Sequence, residues 1–152
     1  MRIVISGGSG FIGRHVAKGF IANNHDVIFL IRKNTNRAHL QSFGDSIRLY
    51  VHDNSASNLV RLFTNEKPDL ICHLAAKAQV GYAINELDQM LDSNFRLGLQ
   101  IIDAMRETGV RFFINTATPW QYSNGKKGQC SCLYAALKEA FDGVLDLSLI
   151  HI

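Results

Sequence analysis

The strongest indication of how this 152-residue chain folds is the stretch SGGSGFIG at residues 6–13. It follows the apolar run RIVIS at 2–6 and places Gly7, Gly10 and Gly13 three residues apart. Glycine at such positions lets the backbone turn tightly, approach a ligand closely and pack a helix against a strand. The stretch therefore indicates the first strand-to-helix turn of a βαβ unit.

Further short apolar runs follow, and each has the length and composition of a strand buried on both faces of a parallel sheet. They are DVIFLI at 26–31, IRLYV at 47–51, DLICHL at 69–74 and RFFIN at 111–115. With the run at 2–6 they predict five strands in order along the chain.

Segments with helical spacing separate these runs. Ile12, Val16 and Phe20 recur every four residues after the glycine stretch and predict a helix that covers one face of the sheet. A longer helix is predicted from five residues with similar spacing: Leu87, Leu91, Gly98, Ile101 and Met105. Repeated β-α units with right-handed crossovers give an α/β fold with a doubly wound parallel sheet, the Rossmann arrangement.

Composition excludes several classes of protein. Sixteen basic and 13 acidic residues are scattered along the chain and give a net charge of +3, so neither a nucleic-acid-binding nor a membrane surface is indicated. Cys72, Cys130 and Cys132 lack the number and spacing of a disulfide framework or a zinc site. Without a signal peptide or a long apolar segment, we expect a cytoplasmic protein whose single dinucleotide-binding domain spans 1–146.

The glycine stretch at the start of a helix predicts a site for a pyrophosphate, because the helix N-terminus favours negative charge. The alternative is a turn that is merely rich in glycine. The second predicted strand is followed by Arg32 and Lys33 and not by a carboxylate. Arginine there can pair with a 2′-phosphate, which favours NADP over NAD, although a solvated basic loop is the simpler alternative.

Five motifs occur in a fixed order: the glycine stretch, HLAAKA at 73–78, Asn94, NTAT at 115–118 and YAALK at 134–138. Together they resemble the NAD-dependent epimerase/dehydratase family, the extended short-chain dehydrogenases/reductases that act on nucleotide sugars. The segment NTATPWQY, with the later LYAALKEAFD, is most similar to the nucleotide-sugar 4-ketoreductases of that family.

The resemblance implies which residues bind the cofactor. Asp53 is the expected partner of the adenine amino group, and the small side chains of Ala75 and Ala76 would let the ribose approach. Asn94 would hold backbone or water, and a buried structural hydrogen bond is an equal alternative. The remaining expected cofactor-binding residues are Gly7, Gly10, Phe11, Ile12, Gly13, Arg32, Tyr134 and Lys138.

The resemblance also implies three catalytic residues. Thr118 would hold the reacting sugar oxygen, Tyr134 would donate or accept its proton, and Lys138 would bind the nicotinamide ribose. A phenol titrates near pH 10, so Tyr134 is expected to need a nearby cation, and Lys138 lies one helical turn away. Taken alone, this spacing also fits an ordinary helix surface.

Departures from the family pattern limit which of the family's reactions are expected. Family dehydratases carry an Asp-Glu pair after the threonine, whereas this chain has Pro119 and Trp120, so ketoreduction or epimerisation is expected. Trp120 and Tyr122 could stack on a base or sugar, or simply pack. His73 is expected to lie near the cofactor without acting as an acid or base.

The end of the chain bears on what it could do. The apolar residues LSLIHI at 147–152 do not resemble the next family strand, so we expect a tail of foreign origin and no C-terminal substrate domain. A sheet left incomplete at its C-terminal end would expose an apolar edge that aggregates or pairs. Two hypotheses follow: an enzyme acting on a nucleotide sugar, which could pair as a homodimer, or an NADP-binding module without catalysis.

Overall fold

The computed structural model describes residues 1–126 and 128–151. Within them the five expected strands form one parallel sheet. The strands are β1 (Arg2–Ser6), β2 (Asp26–Arg32), β3 (Ile47–His52), β4 (Leu70–His73) and β5 (Phe112–Asn115). Their spatial order is β3-β2-β1-β4-β5, so the chain starts at the centre and winds outward in both directions. The doubly wound parallel sheet is confirmed.

Helices connect the strands. They are α1 (Phe11–Ala22), α2 (Ala56–Glu66), α3 (Leu87–Leu91), α4 (Leu97–Thr108) and α5 (Leu133–His151). A π-helical segment, Asp92–Arg96, joins α3 to α4. Among the described residues there is no helix of the length and apolarity needed to cross a membrane. Residues 147–151 of the expected foreign tail continue α5, while Ile152 lies outside the described residues.

The chain divides into two compact units. The first contains Met1–Ala75 and Asp103–Asn115, which include the whole sheet with α1 and α2. The second contains Ala76–Ile102 and the described residues from Thr116 onward, which include α3, the π-helical segment and α5.

The core of the first unit lies on the central strands. Ile3 and Ile5 of β1 are completely buried, and Phe29 of β2 packs edge-on against Phe43, with ring centroids 5.6 Å apart. The prediction of strands buried on both faces is wrong for the two outermost strands. Leu49 and Val51 of β3 and Phe112 and Ile114 of β5 are exposed. Within the described part of the chain, each of these strands has a neighbouring strand on one side only.

Helix α1 forms where the spacing predicted it, but only part of the predicted face is buried. Gly13 and Ala17 are buried, Val16 and Phe20 are partly buried, and Ile12 is 62% exposed. At about 100° per residue, Ile12 lies about 140° around the helix from Ala17 and so points away from the sheet.

The π-helical segment accounts for a second difference. Leu87 was expected on the buried face of the long helix but is exposed, whereas Met90, Asn94 and Ile101 are buried. A π-helical turn accommodates an extra residue, so the buried face before it is displaced relative to the face after it. The prediction holds for Ile101, which follows that turn.

Candidate functional site

The glycine loop of the first unit has no space for side chains. Gly7 has a positive φ of 76°, and a Cβ built on it would lie 2.6 Å from the backbone N of Ala75. A Cβ on Gly13 would lie 2.2 Å from the carbonyl oxygen of Gly7. The Gly10 N–H donates to that same oxygen at 3.0 Å. The loop therefore depends on glycine for both its backbone shape and the close docking of α1.

The first turn of α1 is suited to an anion. Its N-cap is Gly10, and within the described chain no side chain caps the helix and no acidic residue lies in its first turn. Phe11 and Ile12 are 72% and 62% exposed. The N–H groups of a helix start and the positive end of its dipole favour a phosphate. These residues fit the diphosphate of a dinucleotide.

A buried hydrogen-bonded pair lies beside the glycine loop. Ser6 Oγ and His73 Nδ1 are 2.6 Å apart, and the N–H of Ala75 donates to the same hydroxyl at 3.4 Å. The His73 ring also stacks on Phe113, with ring centroids 6.1 Å apart. His73 is 1% exposed. His73 therefore supports the strand ends that carry the loop, and its expected place near the cofactor stays a prediction.

The expected adenosine-binding residues follow two neighbouring strands. Arg32 ends β2, is exposed, and pairs in register with His52, the last residue of β3. Asp53 follows directly, and its Oδ1 accepts hydrogen bonds from the N–H and hydroxyl of Ser55 at 3.0 and 2.6 Å. The Ser55 hydroxyl bond in particular lowers the pKa of Asp53, so its carboxylate is charged at neutral pH.

The three expected catalytic residues lie in the second unit, and all are buried. Thr118, Tyr134 and Lys138 are 9%, 7% and 1% exposed. Burial raises the pKa of Tyr134, the neighbouring Cys132 raises it further, and a hydrogen bond with Thr118 opposes both. The expected stabilisation of the Tyr134 phenolate by Lys138 stays a prediction. The phenol of Tyr134 is protonated at neutral pH.

Lys138 has a neighbour that the sequence did not single out. Its Nζ donates to Thr116 Oγ1 at 3.5 Å. Burial lowers the pKa of Lys138, and the charge of Asp142, one turn further along α5, opposes that shift. Nothing in the sequence distinguishes Thr116 from other threonines, so its contact with Lys138 could not be predicted.

Trp120 and Tyr122 are not core residues. The Trp120 indole contacts the Tyr134 ring, but 42% of Trp120 and 45% of Tyr122 remain exposed. The packing alternative therefore explains only part of their surface. In the loop that follows, Tyr122 forms an isolated bridge with Gln129. Lys127 of this loop lies outside the described residues.

Gln121 is a residue that sequence reasoning missed. It is 0% exposed, and its Oε1 accepts a hydrogen bond from the N–H of Thr118 at 2.8 Å. Its Nε2 donates to Glu139 Oε2 at 3.0 Å and to Asp142 Oδ2 at 2.7 Å. The segment NTATPWQY contains it, but a glutamine that follows two exposed residues gives no sign of being buried.

Asn94 makes structural hydrogen bonds. Its Oδ1 accepts from the N–H of Lys77 at 2.9 Å, and its Nδ2 donates to the carbonyl of Lys77 at 3.2 Å. Lys77 in turn pairs with Glu86 at 2.7 Å, which with other hydrogen bonds lowers the pKa of Glu86 to about 2. Asn94 thus fixes the backbone that follows Ala76, which is itself exposed. The structural alternative for Asn94 fits its contacts.

Comparisons with known proteins agree with this arrangement. A model of the family described as "NAD dependent epimerase/dehydratase family" matches residues 3–141. Protein CapI of Staphylococcus aureus is 30% identical over 162 aligned positions, covering 92% of this chain and 47% of that protein. The dTDP-glucose 4,6-dehydratase 1 of Escherichia coli (strain K12) is 32% identical over 113 positions, covering 70% of this chain and 31% of that protein.

A solved structure shows the same fold. The UDP-glucose 4-epimerase of Thermus thermophilus, in complex with NAD, superposes with a TM-score of 0.83 at 25% identity. The match covers 97% of this chain and 50% of that one. The matches therefore span between about a third and a half of the length of these relatives.

Proposed function

Because the chain belongs to the NAD dependent epimerase/dehydratase family, we propose that it serves hydride transfer between a nicotinamide cofactor and a nucleotide sugar. The best-supported reaction is reduction of a 4-keto sugar, and 4-epimerisation is the alternative. The relatives named above include proteins that act on dTDP-glucose and UDP-glucose, which supports a nucleotide sugar as the substrate class.

The first unit supplies residues suited to the adenosine diphosphate part of the cofactor. Gly7 and Gly13 let the loop pack closely against the backbone of the protein, and the uncapped start of α1 favours the charge of a diphosphate. Arg32 supports a 2′-phosphate and hence NADP over NAD. When bound, the nicotinamide supplies the hydride that a sugar carbonyl accepts.

The observation that carries the proposal is the burial of Tyr134 and Thr118 within one unit, where burial raises the pKa of Tyr134 and so keeps its phenol protonated at neutral pH. Reducing a ketone requires a proton at the oxygen as hydride reaches the carbon, and a neutral phenol is the form that donates one. Thr118 is suited to hold that oxygen. Epimerisation would begin with removal of a proton from a sugar hydroxyl, for which a phenol of raised pKa is poorly suited. The buried Lys138 cation would stabilise the phenolate left after donation.

The turn after Thr118 gives no support to dehydration. Eliminating water needs an acid and a base near the sugar, and Pro119 and Trp120 can serve as neither. The amide of Gln121, the last residue of the turn, is committed to hydrogen bonds within the protein.

A binding and turnover experiment tests the proposal. Trp120 is the single tryptophan, so energy transfer from it to NADPH or NADH reports binding to the purified chain. Oxidation of NADPH with a UDP- or dTDP-linked 4-keto sugar would then show reduction. Binding without turnover would favour the NADP-binding module, and equal affinity for the two cofactors would contradict the role of Arg32. If neither cofactor binds, the proposed function is wrong.

A further inference from the structure

Gln121 joins two elements of the second unit through one buried side chain. Its amide oxygen accepts from the backbone N–H of Thr118 at 2.8 Å, and its amide nitrogen donates to Glu139 and Asp142 at 3.0 and 2.7 Å. Thr118 begins the Pro119–Gln121 turn, whereas both carboxylates belong to α5. The amide therefore links the turn to the helix.

We propose that Gln121 is a positioning residue, which holds the turn that carries Thr118 against the helix that carries Tyr134. The inference rests on the proposed function, since it takes the roles of Thr118 and Tyr134 from there. Helix α5 carries Tyr134 and Lys138, so a link between Thr118 and α5 fixes all three groups with respect to one another.

The chemistry of the link requires an amide. One end must accept a hydrogen bond from a backbone N–H, and the other must donate to two carboxylates, which a glutamine side chain does in a single plane. Glutamate would place a third carboxylate beside Glu139 and Asp142. Methionine would fill the same space but would leave the Thr118 N–H and both carboxylates without these bonds, at a cost for each buried group.

The Thr118 side chain shows why its position matters. Its Oγ1 accepts from the N–H of Trp120 at 3.4 Å, which leaves the hydroxyl hydrogen available to the phenol of Tyr134. The same hydrogen bond favours the ionised phenol, so its loss would be visible in the ionisation of Tyr134. A hydrogen bond weakens steeply as its angle falls below about 120°, so a displaced Thr118 hydroxyl would no longer favour the ionised phenol.

The test is a double-mutant cycle on the ionisation of Tyr134. Tyrosinate absorbance is titrated in the chain and in a Tyr134→Phe variant, and the difference isolates one of the four tyrosines. We expect Gln121→Met and Thr118→Val each to raise the midpoint by about 0.5–1 pH unit, the equivalent of one hydrogen bond. The double variant should shift no further than either single one, because Gln121 acts through Thr118.

A second variant keeps the test valid if Gln121→Met does not fold. Gln121→Asn keeps an amide but is one methylene too short to reach both the turn and α5, so it should also raise the midpoint while circular dichroism stays unchanged. Additive shifts, or unchanged midpoints in folded Gln121 variants, would overturn the inference. So would unfolding of both variants, because a positioning residue is dispensable for the fold.

The outcomes separate this inference from the proposed function. If Thr118→Val leaves the midpoint of Tyr134 unchanged, the inference falls and Thr118 loses its assigned contact. If the unmodified chain binds neither NADPH nor NADH, the proposed function falls, while the titration of Tyr134 still decides the part played by Gln121.

Discussion

The indole of Trp120 stands edge-on to the phenol of Tyr134, with ring centroids 5.9 Å apart and ring planes at 89°. This is a favourable aromatic arrangement, and it places the single tryptophan of the sequence next to the expected proton donor. Because tyrosinate accepts energy from excited indole, the emission of Trp120 should fall when Tyr134 ionises. The state of the candidate site can therefore be followed without a substrate.

We expect reduction to be fastest while Tyr134 is protonated. Its pKa is raised by burial, so the donor form persists through neutral pH and is lost as the pH rises through that pKa. The rate of NADPH oxidation and the emission of Trp120 should fall together. Tyr134→Phe should lower the rate about a hundredfold or more. Tyr82→Phe, a change at an exposed tyrosine, should leave the rate unaltered. A rate that increases through the same pH range would contradict the donor role.

Two glycines of α1 should respond in opposite ways to the same substitution. Gly13→Ala would place a Cβ 2.2 Å from the Gly7 oxygen, and we expect a loss of about 1–3 kcal/mol in unfolding free energy and of NADPH binding. Gly19→Ala has nothing within 4 Å and should stabilise the helix by about 0.5–1 kcal/mol. Urea unfolding measures both. Equal stabilities for the two variants would show that the loop tolerates a side chain.

Arg32→Ala should reduce the preference for NADPH over NADH. Loss of a charge-assisted hydrogen bond to a 2′-phosphate would weaken NADPH binding about tenfold or more and leave NADH binding nearly unchanged. Arg61→Ala, at an exposed arginine of α2, serves as the matched control. If both variants weakened NADPH binding equally, the effect of Arg32 would be only the general attraction between a basic protein and an anion.

A network of charges at the start of the strands should contribute modestly to stability. Asp26 pairs with Arg2 and Arg48 at 2.7 and 2.8 Å, and Arg48 also pairs with Glu66 at 2.6 Å. Burial raises the pKa of Asp26, but the hydrogen bonds from the two arginines outweigh it, and the net shift is downward. The contribution is thus present above the ordinary carboxyl pKa and is lost as pH falls through the lowered value.

We expect Asp26→Asn to cost about 0.5–1 kcal/mol at neutral pH and low salt, because these groups are partly exposed. Urea unfolding at neutral and acidic pH, with and without salt, measures the change. Asp103→Asn, which removes a single exposed ion pair, should cost less. A difference that persists in acid or at high salt would contradict the electrostatic account.

The strands of the sheet were predictable because each one is a short apolar run that can be recognised from its own residues. Arg2–Ser6 matches the predicted strand at both ends, since a buried apolar run bounded by glycine allows few alternatives. What the pattern could not supply was the position of each strand in the sheet. Phe112 of β5 is as apolar as Phe29 of β2, yet one is exposed and the other buried, because order across a sheet depends on contacts distant in sequence.

The site was predictable where chemistry marks the residues. Glycines at a strand-to-helix turn stand out in any sequence, whereas a tyrosine one turn before a lysine is informative only after the motifs that precede it. Gln121 does not stand out, because its importance arises from three partners, one of them backbone, that come together only in the folded chain. The raised pKa of Tyr134 was missed for a related reason: it comes chiefly from burial, which only the folded chain creates.

The position of β4 beside β1 has a consequence for the order of events during synthesis. Ser6 and His73 are 67 residues apart in sequence, so the backbone that closes over Gly7 arrives late, after a long loop has been closed. A nascent chain that has emerged only through β3 contains every glycine of the glycine loop but not Ala75, against which that loop packs. Cofactor capture should therefore follow the docking of β4 and cannot guide it.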